Sequence, residues 1–211
     1  MTPPEPSRGG TDGAGGTRSL RADARRNREG ILAAAEAVFA EKGPTASTEE
    51  VAARAGVAIG TVFRHFPTKQ ALLQAIMKDL LRRLTQQASS LAAHGDPATA
   101  LFTFIAQLVE QAAEKGTVVD LLNQAGVDLQ VADSVRALQD GVQGLLSRAQ
   151  RAGAVREDVR LDEVIALLTG ACQGALHAGW DHDLQRRTLA IIFNGLRPPA
   201  ARRTDHAPRL E

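Results

Sequence analysis

The sequence predicts an all-α protein, and three observations carry that expectation. Ala, Leu, Arg and Gln dominate the 211 residues, while aromatic residues make up only 3%. Helix formers are therefore plentiful and strand formers scarce, which sets an all-β fold aside. Apolar residues recur at helical spacing, as in Ile31, Leu32, Ala35, Val38 and Phe39. Gly43-Pro44, Pro67-Thr68 and Gly95-Asp96-Pro97 then punctuate these stripes as helix stops and starts.

Composition narrows the class further. Hydrophobic residues are 44% and charged residues 23%, ordinary for a globular chain long enough to bury a core without disulfides or metals. The single cysteine, Cys172, excludes an internal disulfide and fits a reducing cytoplasm. No apolar run reaches the length of a membrane span, and the Pro- and Gly-rich start lacks the apolar core of a signal peptide. A cytoplasmic protein without a membrane partner is expected.

In chain order, residues 1–17 hold three prolines, five glycines and almost no apolar side chain, and read as a disordered tail. About nine helices are expected after it. The first runs from about Arg21 to Lys42. Ser47 to Arg54 forms a second, opened by the capping-box spacing Ser47-x-x-Glu50. A third covers about Ile59 to His65, and a long fourth runs from Lys69 to about Ala93. Further helices are expected at 97–115, with Asp96 as cap and Pro97 at the first position, then at 118–124, 131–152, 161–179 and 182–196. Residues 198–211 read as a flexible tail.

The second and third helices, joined by Ala55-Gly56-Val57, have the outline of a helix-turn-helix. Glycine permits the left-handed turn, and Val51, Ala52, Val57, Val62 and Phe66 can pack the pair onto the first helix. Three small packed helices with no recognition role satisfy the same spacing. The string Val57-Ala58-Ile59-Gly60-Thr61-Val62-Phe63-Arg64-His65-Phe66-Pro67-Thr68-Lys69 is more specific. With the Gly43 stop and the preceding helix, it resembles the DNA-binding domain of the TetR family of bacterial transcriptional regulators.

The resemblance covers residues 21–75 closely and the remainder only in helix count and length. It implies a helix-turn-helix domain over 18–68 and a helical ligand-binding and dimerisation domain over 69–197. The implied function is a homodimeric repressor that binds a palindromic double-stranded operator and is released by a small molecule. Thr61, Phe63, His65 and Lys69 match positions that contact DNA, with Ser47 and Arg64 as additions. The chemistry agrees with that role. Gly60 lets the backbone approach the major groove, and Thr61 offers a hydroxyl and a methyl. Lys69 can reach a phosphate, and Ser47 can cap its helix and touch phosphate as well.

Two departures stand out. Phe63 replaces the family's usual Tyr and loses its hydroxyl. Ala58 replaces the usual Ser or Thr cap at the edge of the recognition helix. Ile59 is apolar where the helix faces DNA and suits a thymine methyl. Upstream, residues 18–28 hold five arginines against one acid, Asp23. Arg18 and Arg21 read either as an arm entering the minor groove or as solvated surface.

In the C-terminal part, Ala166, Gly170, Gly174 and Ala178 recur every fourth residue. Glycine is unfavourable inside a helix, so this stripe suggests a close helix–helix approach, across a dimer interface with Ile191 and Ile192 or within the subunit. Phe102, Phe104, Leu108, Leu121, Leu122, Leu145, Cys172, Leu176 and Trp180 are candidate apolar lining for an effector pocket, and Gln107, Asn123, Gln143, Gln173 and His177 its polar contacts. No charge cluster accompanies them, so the unidentified effector is expected to be largely apolar. Enzyme chemistry is not expected, nor is a cofactor or a metal. Cys172, His177 and His182 are spaced to rotate away from one helix face, and no nucleophile elbow, phosphate loop or dinucleotide fingerprint is present. The rival reading is a helical ligand-binding protein whose helix-turn-helix has lost DNA binding, which Ala58 and Phe63 favour.

Overall fold

Eight α-helices and no strand occur among the described residues, 13–114 and 132–199, of the computed structural model. The chain forms two compact units, Met1–Ile76 and Met77–Glu211.

In the first unit, α1 (Gly13–Lys42) ends at a 3-10 turn over Gly43–Thr45. α1 begins well ahead of Arg21, so residues 13–17 belong to a helix and not to a disordered tail. Once a helix is nucleated downstream, each added residue gains a backbone bond, which carries it back through the glycines. Ile31, Ala35, Val38 and Phe39 form its buried stripe. α2 (Thr48–Ala55) packs on α1, burying Val51 and Ala52. Its start is closed reciprocally. Ser47 Oγ accepts from Glu50 N at 3.2 Å, and Glu50 Oε2 accepts from Ser47 N at 3.0 Å. Gly56 ends it at φ 67°, a left-handed conformation in which a β-carbon is unfavourable.

α3 (Ile59–His65) follows, and α4 (Lys69–His94) after it, with Thr68 Oγ1 accepting from Ala71 N at 3.0 Å. The division between the units falls inside α4, after Ile76, and not at Lys69 where the sequence suggested. The reason is burial: Leu72, Leu73 and Ile76 are core residues.

The second unit is built on α5 (Ala100–Glu114), which packs against α6 (Ala132–Arg151) and α7 (Leu161–His177). α5 starts at Ala100. Residues 97–99 form a turn in which Asp96 Oδ1 accepts from Ala98 N at 3.1 Å. Leu101, Phe104, Ile105 and Val109 of α5 join Val142, Leu145, Leu146 and Ala149 of α6 and Val164, Leu168, Ala171 and Ala175 of α7 in one apolar core. α8 (His182–Leu196) adds Leu189 and Leu196, and Asp181 caps it by accepting from Leu184 N at 2.8 Å. The carbonyl of Leu196 accepts from Arg156 N at 2.9 Å, tying the α6–α7 connection to the end of α8. The expected helix at 118–124 lies outside the described residues. Among those described, no helix is long and apolar enough to cross a membrane.

Candidate functional site

Two places in the fold can do chemistry: the outer face of α3, and a cavity in the second unit. On α3, Val62 and Phe66 are buried, which turns the opposite face outward. Ala58, Ile59, Gly60, Phe63 and Arg64 are exposed, while Thr61 and His65 are half-buried. A β-carbon at Gly60 would meet nothing within 4 Å, so this side of the helix is open to close approach. Ala58 supplies no side-chain cap, as its methyl dictates. Ser47 uses its oxygen as a cap acceptor, which leaves the hydroxyl hydrogen available to an outside acceptor.

Charged groups tie the helices around α3 together. Lys69 Nζ donates to the carbonyls of Pro44 at 2.9 Å and Ala46 at 2.8 Å, and it stands 5.4 Å from the Phe39 ring centroid. Lys69, expected to reach a phosphate, has two of its three N–H donors on the carbonyls of the α1–α2 connection and one left for an outside acceptor. The Arg28 guanidinium lies 5.3 Å over Phe66 at the end of α3. Arg54 makes a two-pronged contact with Glu41 at 2.9 and 2.6 Å, which holds that carboxyl below its ordinary pKa. Lys42 pairs with Glu50, and together with the Ser47 amide it lowers the pKa of that carboxyl. Both carboxylates favour the folded state above their ordinary pKa, and this contribution is lost as the pH falls through the lowered values. Arg18 and Arg21 fall within helical α1, so the backbone there is not an extended arm; their side chains lie outside the described residues.

The cavity has a volume of about 360 Å³ and is walled by four helices of the second unit. Leu81 comes from α4, Phe104, Leu108 and Ala112 from α5, Val135, Leu138 and Val142 from α6, and Ile165, Leu168 and Leu176 from α7. Gln139, Thr169, Cys172 and Gln173 are its polar members, and no charged residue is among the described lining. Thr169 Oγ1 donates to the Ile165 carbonyl at 2.8 Å, leaving it an acceptor. Burial pushes the Cys172 thiol up to about 11.

Of the pocket residues expected from sequence, Phe104, Leu108, Cys172, Gln173 and Leu176 line this cavity. Phe102 is not among the lining; it packs on Phe193, ring centroids 4.9 Å apart, and the Arg197 guanidinium lies 5.4 Å from the Phe102 ring centroid. Gln107 is bonded to Gln87, and Gln143 is exposed and donates to Ser147 Oγ at 3.0 Å. His177 is exposed, Trp180 rests on Gly174, and Leu121, Leu122 and Asn123 lie outside the described residues. Sequence reasoning missed the α6 wall. Val135, Leu138 and Val142, at i, i+3 and i+7, were the available signal.

The small-residue stripe divides. Ala166 and Gly170 are exposed, and a β-carbon on Gly170 would meet nothing. A β-carbon on Gly174 would fall 2.4 Å from Trp180 Cζ2, so this glycine accommodates an indole of its own chain. Ala178 is the C-cap of α7 and no longer on its helical face. Ile191 is 74% exposed, Ile192 half-buried, and Leu167 and Leu184 join the exposed apolar residues. Among the described residues no cluster of His, Cys, Asp and Glu could hold a metal ion.

A helix-turn-helix with an outward recognition helix, in one chain with a helical unit that holds an apolar cavity, defines a ligand-responsive DNA-binding regulator. Residues 31–76 match the bacterial regulatory proteins of the tetR family, and residues 96–198 match the C-terminal domain of SbtR-like transcriptional regulators. The chain is 30% identical to the HTH-type transcriptional repressor BepR of Brucella suis biovar 1 (strain 1330), over 87% of this chain and 98% of that one. Among solved structures it is similar to a TetR transcription regulatory protein from Mycobacterium vanbaalenii, with 40% identity and a TM-score of 0.70, covering 85% of this chain and 99% of that one. The TetR transcriptional regulator SCO0520 of Streptomyces coelicolor is 33% identical with a TM-score of 0.68, covering 82% and 99%. The chain belongs to the TetR family of bacterial transcriptional regulators. The rival, a protein that has lost DNA binding, is not favoured.

Proposed function

We propose that the protein is a cytoplasmic repressor that binds a palindromic operator as a homodimer and is released by a small, uncharged, largely apolar molecule. The observation that carries this reading is the presence in one chain of an open α3 face and of an apolar cavity with no charged residue among its described lining. Thr61, Phe63, Arg64 and His65 meet the major groove, and Ser47 and the one spare N–H of Lys69 meet phosphates. No catalytic step enters this reading. α4 carries Lys69 in its first turn and the cavity residue Leu81 three turns on, so one helix takes part in both sites. A ligand that favours one arrangement of α4 shifts DNA affinity through its differential affinity alone.

Duplexes selected by the protein from random sequence are expected to converge on a palindrome. Thr61→Ala and His65→Ala are each expected to weaken binding to it by about 1–3 kcal/mol in a fluorescence-anisotropy titration. Parent-like affinity in both variants would remove α3 from its recognition role.

The exposed apolar residues of α7 and α8, with Ala166 and Gly170, form the two-fold interface of this reading. Gly170→Leu is expected to turn dimers into monomers in sedimentation velocity, since the added side chain has room in the subunit but not between two of them. A dimeric variant would move the interface elsewhere.

A further inference from the structure

We propose that Ile59 and Phe63 read the 5-methyl groups of two thymines in each operator half-site, so that specificity rests partly on apolar contact. This rests on the recognition role given to α3 above. Most apolar side chains of the first unit are buried, yet Ile59 is 36% and Phe63 42% exposed. They are the two large hydrophobic residues exposed among those described in that unit, and both lie on α3. Four residues apart, they share one face of the helix. Nothing in the unit rewards such exposure, since burying either would gain free energy in proportion to its apolar area.

The surroundings fit a methyl group in the groove. Gly60, between them in sequence, leaves open space where a β-carbon would stand, so the backbone can come down toward the base edges. Phe63 has no hydroxyl with which to donate to a phosphate, and Ile59 has no polar atom. In the major groove, the apolar feature that a base pair displays is the thymine methyl. The two side chains are separated by about 6 Å along the helix axis. The thymines are therefore expected close together within one half-site.

The test uses the full chain and the palindromic duplex it selects from random sequence. Each half-site thymine is replaced in turn by deoxyuridine, which removes the methyl and leaves every hydrogen-bonding group. Two thymines per half-site are expected to weaken binding about fourfold for each methyl lost, from the burial of one such group. Ile59→Ala is expected to abolish the uracil effect at one position and Phe63→Ala at the other. Both side chains are exposed, and helix content by circular dichroism checks that the variants fold. Uracil effects that survive in both variants overturn the proposal, as does their loss in Thr61→Ala instead. Specific binding that no uracil substitution weakens also overturns it while leaving operator recognition intact. If no duplex is selected at all, the recognition role of α3 fails first.

Discussion

Truncation of Phe104 to alanine is expected to lower stability by about 3–5 kcal/mol. The ring is fully buried, belongs to the α5–α7 core, and at the same time forms part of the cavity wall. Its removal therefore loses transfer free energy and joins a new void to a space of about 360 Å³ already present. Urea denaturation is expected to show a lower midpoint with an unchanged slope, because the surface exposed on unfolding hardly alters. A benzene-sized apolar compound is expected to restore part of the loss by binding the enlarged cavity, since apolar voids stay dry and accept apolar guests. A midpoint equal to the parent's would show that the ring contributes nothing to the core.

Gly174→Leu is the second large effect, and it acts at a single contact. A β-carbon here would stand 2.4 Å from Trp180 Cζ2, 2.9 Å from Cη2 and 3.0 Å from Cε2, so the indole must leave. Gly179, at φ 60°, turns the chain so that Trp180 folds back onto α7. Overpacking of this kind destabilises by about 1–3 kcal/mol. Trp180 is the one tryptophan in the chain, so its fluorescence reports the event directly. The emission is expected to shift to longer wavelength as the ring meets water. Emission identical to the parent's would show that the indole does not depend on Gly174.

These two residues also show what sequence can and cannot reveal. The helix-turn-helix was legible because its signals are local. Ser47 and Glu50 cap α2 reciprocally, Gly56 takes the left-handed turn, and Val62 and Phe66 face inward, all within a few residues of one another. The cavity was only partly legible. On α5, Leu101, Phe102, Phe104 and Ile105 are all buried, and nothing in their spacing says which faces a void and which faces α8. That choice is made by α6 and α7, which are distant in sequence. The Gly174 stripe left two readings open for a related reason. Small residues at every fourth position signal close approach, but the approaching group is a ring six residues along the same chain. Lys69 is a third case: its charge suggested phosphate, and the carbonyls of Pro44 and Ala46 that occupy it come from a turn more than twenty residues earlier.

The burial of Cys172 bears on how the cavity can be occupied. With its thiol pushed up to about 11, only about one molecule in ten thousand carries the reactive thiolate at neutral pH. No other cysteine exists in the chain to serve as an attacking or resolving partner. A thiol held protonated in this way is a weak nucleophile toward oxidants and electrophiles. In the ligand-responsive reading proposed above, the cavity is therefore expected to be occupied reversibly and without a covalent bond, so that the response fades once the bound molecule is gone.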